Sequence, residues 1–208
     1  MMLTGIWSEW TDVRHRLFHW RMNLAVSRKL ALCLGMACLT GLLAQVRVPL
    51  SFTPVPITGQ VFAVLLAGVL LGKHFGALSQ VFYVGFGAAG LPWFSGWSAA
   101  LRVPTAGYLV GFIAAAALIG WMTDDHSRLR RLPGQILLMT AGILVIHLFG
   151  AVQFAIFMKT DLKTTLAMAV LPFIQFDLAK ALAVALLTTA FLPKSGDDPR
   201  QEDGSGAR

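Results

Sequence analysis

The sequence predicts an all-α fold: a polytopic membrane protein built as a bundle of six transmembrane helices with external capping loops. Hydrophobic residues make up 56% of the 208 residues and charged residues only 13%, and the mean hydropathy is +0.69. The apolar runs are long enough to cross a hydrocarbon core of about 30 Å. The strongly polar stretches are short and lie at the two ends of the chain and at 123–133, so we expect no water-soluble catalytic domain.

Six apolar runs, separated by turn residues, account for the bundle. We predict spans at about 30–46, 58–72, 75–91, 105–122, 134–157 and 172–192. Only the short segment 72–76, which begins and ends with glycine, joins the second run to the third. These two helices should therefore be antiparallel neighbours. Prolines mark two longer connections, at 47–57 and 92–104, where a helix cannot continue.

The basic residues predict that both termini are cytosolic. Cytosolic segments carry an excess of Lys and Arg, and a cytosolic N-terminus gives the larger excess. The cytosolic set is then Arg14, Arg16, Arg21, Arg28, Lys29, Lys73, Arg128, Arg130, Arg131, Lys194, Arg200 and Arg208, and the external set is Arg47, Arg102, Lys159 and Lys163. We therefore attribute the formal charge of +7 to basic residues that orient the helices in the membrane, and we expect no nucleic-acid partner.

Composition divides the chain into three regions. Residues 1–27 mix Trp and Arg without the continuous apolar core of a signal peptide, and we interpret them as a cytosolic or interfacial segment. Residues 28–193 form the six-helix transmembrane domain. Residues 194–208 have no apolar face to bury, which predicts a disordered cytosolic tail. Residues 160–170, between the last two spans, are too short to cross and should lie along the outer surface.

The strongest candidate for a binding site is the pair Asp177 and Lys180 inside the last apolar run. Residues three apart share one face of a helix. A charge in mid-bilayer costs about 2.5–3.5 kcal/mol on insertion scales, so both side chains should point into the protein. They could neutralise only each other, but charges retained within a membrane more often serve a ligand or an ion pathway.

Residues 83–108 join two spans with glycines, aromatic residues and one arginine, a composition typical of a lid. The rings of Trp93 and Phe94 could hold an apolar ligand, and Arg102 could pair with a carboxylate. An aromatic belt at the membrane interface is the competing interpretation. The complete set of candidate substrate-binding residues is Asp177, Lys180, Arg102, Trp93, Phe94, Tyr83, Tyr108 and Gln60.

Small residues four apart in the first span allow another helix to approach closely. One such pair is Ala31 and Gly35, and the other is Ala37 and Gly41, which we assign to a partner interface. His147 is the single histidine within a span, and we interpret it as a hydrogen-bonded packing residue. The scattered histidines and two cysteines predict no metal site.

Several motifs in one register closely resemble the BioY family, the biotin-specific substrate-binding (S) components of energy-coupling factor (ECF) transporters. The motifs are PLSFTPVPITGQ at 49–60, LGK at 71–73, GAAGLP at 87–92, PTAGYLVGF at 104–112 and PFIQFDLAK at 172–180. The resemblance runs in order over about 30–192. Departures from the family pattern at Thr58-Gly59-Gln60, Val103, Ala106 and Phe176 concern loop shape more than ligand class.

The resemblance implies a multi-pass protein of the bacterial cytoplasmic (inner) membrane that captures biotin from outside and is not an enzyme. Asp177 would accept the ureido N–H groups, Lys180 would share its polar face, and Arg102 would meet the valerate carboxylate. No cofactor is expected on this chain. The implied partners are a transmembrane ECF coupling subunit and two ATPase subunits that use ATP.

Two other functions stay open from the sequence. One is an S component for a different small vitamin. The other is an intramembrane enzyme with Asp177 as a base, which is disfavoured because no second carboxylate, nucleophile pair or metal cluster shares the membrane with it. The sequence also leaves open whether the chain works alone, as a homo-oligomer or only with its energising partners.

Overall fold

The computed structural model describes residues 12–16, 18, 20, 21, 23–100 and 103–193. The helices are α1 (Val26–Gln45), α2 (Gln60–Ala88), α3 (Ala106–Asp125), α4 (Leu132–Met158), α5 (Leu162–Ala169) and α6 (Leu171–Phe191), with a 3₁₀ turn at Ser127–Arg130. Two short strands, β1 (Arg47–Leu50) and β2 (Thr53–Thr58), follow α1. The predicted disordered tail, Arg102 and most of the N-terminal segment lie outside the described residues.

Five described helices, α1, α2, α3, α4 and α6, are long and apolar enough to cross a membrane. The helical membrane architecture predicted from composition is therefore present. The second and third predicted spans correspond to two helical arms of α2, which meet at a kink at Gly72. Within α2 only Gly72 leaves the helical conformation, with φ +77° and ψ −176°.

The glycine at 72 reverses the direction of α2. Gln60 Nε2 donates to Tyr83 Oη at 2.7 Å, although a straight helix of about 1.5 Å rise per residue would separate these residues by about 35 Å. A Cβ atom placed on Gly76 would lie 3.0 Å from Gly68 Cα, so the two backbones nearly touch beside the turn. The arms 60–71 and 73–88 are thus antiparallel neighbours, as the sequence predicted.

The proline-rich segment after α1 forms an antiparallel hairpin of β1 and β2. Arg47 pairs with Thr58 and Leu50 with Thr53. Each strand of a two-stranded sheet has one unpaired edge, and a proline whose nitrogen faces that edge costs no ladder bond, so such a hairpin can accommodate three prolines. The Thr53 hydroxyl donates to Met168 O at 2.8 Å, which ties the hairpin to α5.

The core lies where α3 packs between α2 and α4. Its largest fully buried side chains include Tyr83, Ile119, Met139 and Phe154. The outer face of α4 is also apolar, and Leu144, Leu148 and Ile156 are each more than half exposed. A helix that is hydrophobic all round suits a lipid environment.

A polar cluster closes the end of the bundle at the α2 turn. Arg21 Nη2 lies 2.5 Å from Asp124 Oδ1, and Arg21 Nη1 donates to Val69 O at 2.8 Å. Asp124 Oδ2 accepts the backbone N–H of Lys73 at 3.2 Å. The guanidinium groups of Arg21 and Arg130 both lie over the Phe18 ring, 4.5 and 4.4 Å from its centre.

The predicted surface segment 160–170 contains α5. Asp161 caps the helix, since its carboxylate accepts the Thr164 backbone N–H at 3.1 Å. Hydrogen bonding from Thr164 holds the pKa of this exposed carboxyl below its usual value.

Candidate binding cavity at the hairpin end

A cavity of about 370 Å³ lies at the end of the bundle opposite the Arg21–Asp124 cluster. Its walls come from the β1–β2 hairpin, the start of α2, the segments 94–100 and 103–105, and the facing sides of α3, α4 and α6. This volume falls within the range of about 300–1,000 Å³ typical of small-molecule sites. The lining combines apolar rings with a few convergent polar groups.

Asp177 and Lys180 both line this cavity. The Asp177 side chain is only 6% exposed, and its Oδ1 accepts a hydrogen bond from Lys180 Nζ at 2.7 Å. Lys180 is more accessible, with 19% of its side chain exposed. The Asp177 carboxylate and the Lys180 ammonium therefore form an ion pair, and both also face the cavity, which a ligand can enter.

His147, on α4, belongs to this site, although the sequence predicted only a hydrogen-bonded packing residue. It lines the cavity, and its Nε2 lies 3.0 Å from Asp177 Oδ2. Its ring stacks on Phe173 and meets Tyr108 edge-on. The sole sequence feature that could have indicated the role is a lone polar ring within an apolar span.

The second nitrogen of His147, Nδ1, is buried and has no hydrogen-bond partner in the part of the chain that the structure describes. Because a carboxylate oxygen only accepts hydrogen bonds, Nε2–H of His147 is the donor to Asp177. Both carboxylate oxygens already hold one donor each, and each can accept another.

Three further predicted residues, Phe94, Tyr108 and Gln60, line the same cavity. The Tyr108 hydroxyl donates to Ala169 O, which fixes the ring between α3 and the end of α5. Gln60 Oε1 accepts the Thr58 hydroxyl at 3.0 Å, so the base of the hairpin is joined to α2. The structure thus brings most of the predicted site together.

Tyr83 and Trp93 lie behind the cavity wall, since neither is among its lining residues. The Tyr83 ring packs edge-on against Phe94, and Trp93 Nε1 donates to Tyr83 O at 2.9 Å. They support Phe94 from behind. Arg102, the predicted carboxylate partner, lies outside the described residues. Arg47, which the sequence analysis assigned only to topology, lines the cavity.

Ala37 and Gly41, the predicted partner interface, are buried within the chain. A Cβ atom on Gly41 would lie 3.1 Å from Trp93 Cε3, so this face of α1 is covered by the segment that follows α2. The other small pair, Ala31 and Gly35, is exposed, and no atom lies within 4 Å of a Cβ placed on Gly35. Which pair faces outward depends on the rotation of α1 about its own axis, and the spacing of the small residues does not determine that rotation.

Among the described residues, no group of three or more His, Cys, Asp or Glu side chains is arranged to hold a metal ion. The polar groups of the cavity instead include a carboxylate, an ammonium, a guanidinium, an imidazole, an amide and several hydroxyls. Such a set can hydrogen-bond an organic molecule that carries both N–H donors and negative charge.

A bundle of apolar helices with a polar-lined, ligand-sized cavity at the hairpin end defines a membrane protein of the small-molecule-binding class. The chain belongs to the BioY family, whose sequence profile matches residues 14–196. This family assignment confirms the resemblance drawn from the motifs.

Individual relatives and one solved structure agree with the assignment. A probable biotin transporter BioY of Methanothermobacter thermautotrophicus is 42% identical over 142 residues, which cover 62% of this chain and 88% of that protein. The biotin transporter BioY of Thermotoga maritima is 34% identical over 147 residues, covering 69% and 83%. The fold is similar to the crystal structure of the S-component for biotin from an ECF-type ABC transporter, with a TM-score of 0.69, 24% identity, and coverage of 80% of this chain and 92% of that one.

Proposed function

We propose that this chain binds biotin and serves as the S component of an ECF transporter in the bacterial cytoplasmic membrane. The observation that carries the proposal is the Asp177 carboxylate, which lines a ligand-sized cavity in a chain of the BioY family. Relatives named biotin transporters, at 42% and 34% identity, support this ligand.

The proposed topology places the cavity at the external face and both termini in the cytosol. The Arg21, Asp124 and Arg130 cluster lies at the opposite end, where the positive-inside rule expects basic residues. The two arms of α2, joined at Gly72, then count as separate crossings and bring the total to six. The hairpin and the segments 94–100 and 103–105 act as the external caps of the cavity.

Biotin matches the chemistry of the lining. The ureido ring offers two N–H donors, which the Asp177 oxygens can accept beside the bonds from His147 and Lys180. The apolar body of the vitamin packs against Phe94, Phe112 and Phe173. The valerate carboxylate needs a cation, for which the sequence proposes Arg102.

Transport requires energy that this chain does not supply. We assign it to a transmembrane coupling subunit and two ATPase subunits that consume ATP, as in other ECF transporters. Because Ala37 and Gly41 are buried, the coupling subunit is proposed to contact the exposed pair Ala31 and Gly35 on α1.

Uptake of radiolabelled biotin by biotin-auxotrophic cells tests this function. Cells producing the chain together with the coupling and ATPase subunits should accumulate label above cells that lack the chain. The Asp177→Asn variant, produced at the same level, should accumulate much less. Equal accumulation with and without the chain would refute the proposal.

A further inference from the structure

We propose that Arg47 is the residue that binds the anionic end of the ligand, in a subsite at the hairpin side of the cavity. The inference rests on the proposed function and names a carboxylate-binding residue different from Arg102. It assigns this subsite to ligands that carry one negative charge.

Arg47 lines the cavity at the base of the hairpin. It lies opposite Thr58 in the pairing of β1 with β2, and Thr58 lines the cavity as well. The arginine remains exposed to solvent, so its guanidinium is accessible to a ligand.

The charges of the described lining leave Arg47 unbalanced. Lys180 and Asp177 neutralise each other, with Nζ 2.7 Å from Oδ1, and His147 donates a hydrogen bond to Asp177. No ion pair joins Arg47 to a carboxylate in the described part of the chain. One uncompensated guanidinium in the wall of a cavity is complementary to a monoanion such as a carboxylate, which it can bind through two parallel hydrogen bonds.

Gly96 provides a cradle for the Arg47 side chain. Gly96 has φ +77°, and a Cβ atom added there would lie 2.5 Å from Arg47 Nη1 and 2.9 Å from Cζ. The guanidinium therefore rests against the backbone of the 95–98 loop, which only a residue without a side chain permits. A substitution at position 96 would both strain the backbone and push the guanidinium away.

Gln45 fixes the loop that carries this cradle. Its Nε2 donates to Trp93 O and Phe94 O at 3.1 Å each, and its Oε1 accepts the Trp97 N–H at 3.0 Å. Three bonds from one side chain at the end of α1 hold the loop beside β1. Arg47 is thus preorganised for its ligand, which reduces the entropy lost on binding.

The test compares biotin with biotinamide, in which a neutral carboxamide replaces the carboxylate. Equilibrium titrations of the full-length protein in detergent would use wild type, Arg47→Gln, Gly96→Ala and Arg102→Gln. Lys163→Gln is the matched control, since it removes a cation in α5 that does not line the cavity. Charge-assisted hydrogen bonds to a carboxylate predict that the wild type prefers biotin over biotinamide by about tenfold or more.

Arg47→Gln should abolish this preference while its affinity for biotinamide stays at the wild-type value. Gly96→Ala should reduce the preference, and Lys163→Gln should keep it. If the wild type binds biotin and Arg47→Gln retains the preference, or Arg102→Gln abolishes it instead, the subsite assignment is overturned and the proposed function stands. If the wild type binds no biotin, the proposed function fails and the subsite with it.

Discussion

Asp177 on α6 and His147 on α4 lie 3.0 Å apart, between carboxylate Oδ2 and imidazole Nε2, at the wall of the cavity. This bond joins two helices and orients the carboxylate. It also leaves Lys180, the more accessible partner of Asp177, as the group that can move when a ligand arrives. His147 is accordingly a positioning residue for the proposed ligand acceptor.

Replacing His147 tests this positioning role. His147→Gln keeps an N–H donor close to the place of Nε2 and should bind biotin with little loss. His147→Phe keeps the ring stacked on Phe173 but removes the donor, so biotin affinity should fall about tenfold, as expected for loss of a hydrogen bond to a charged group. Titration of the two variants, with Thr140→Ala elsewhere on α4 as the control, measures the difference. Equal affinities of His147→Phe and wild type would contradict the role.

The turn at Gly72 predicts a second, structural outcome. Its φ of +77° is unfavourable for any residue with a Cβ atom, and that atom would press on the Asp124 carboxylate. Gly72→Ala should therefore destabilise the protein by about 1–3 kcal/mol and lower its Tm in detergent. Gly35→Ala, where a Cβ meets open space, is the control and should leave the Tm unchanged or raised. A Tm of Gly72→Ala equal to that of wild type would argue against the reversal of α2.

Two pairs of small residues on α1 should respond differently to bulky substitution. Leucines at Ala31 and Gly35 should impair biotin uptake and leave binding intact, since these positions face outward. Leucines at Ala37 and Gly41 should instead lower the Tm and weaken binding, because they would collide with Trp93 and the core. Uptake, binding and thermal unfolding measured on both double variants separate the two effects. Unimpaired uptake by the first variant would remove α1 from the partner interface.

The cap of α5 predicts a pH dependence. Hydrogen bonding from Thr164 lowers the pKa of Asp161 in the folded state, so the cap stabilises α5 above the usual carboxyl pKa of about 3.9. The stabilisation is lost as the pH falls through the lowered value. Amide hydrogen exchange at Thr164, corrected for intrinsic rates, should show less protection at pH 3 than at pH 6. Asp161→Asn should lose this difference, and a pH-independent wild type would exclude the cap.

The sequence predicted those parts of the fold that local chemistry determines. Asp177 and Lys180 lie three apart on one helix, so their shared face and their burial followed from helix period and the cost of charge in lipid. The prolines between 47 and 57 likewise predicted that no helix continues there, and the β1–β2 hairpin occupies this segment. Both inferences needed only neighbouring residues.

Contacts between distant elements could not be obtained in this way. His147 and Asp177 are 30 residues apart, and only the packing of α4 against α6 brings them together. Tyr83 and Trp93 are aromatic residues of the kind that line ligand sites. In the structure the Tyr83 ring packs against both Trp93 and Phe94, and only Phe94 of the three lines the cavity. Arg47 lines the cavity beside Thr58, its partner in the hairpin, and its guanidinium lies against Gly96, almost fifty residues away.

Equilibrium titration of labelled biotin against the purified wild type and Asp177→Asn is the most direct test of the proposed binding site. The substitution preserves the shape of the side chain but removes its negative charge and one acceptor. We expect saturable binding by the wild type and affinity at least about tenfold weaker in Asp177→Asn. An Asp177→Asn protein that binds biotin as tightly as the wild type would contradict the assignment of this carboxylate as the acceptor for the vitamin.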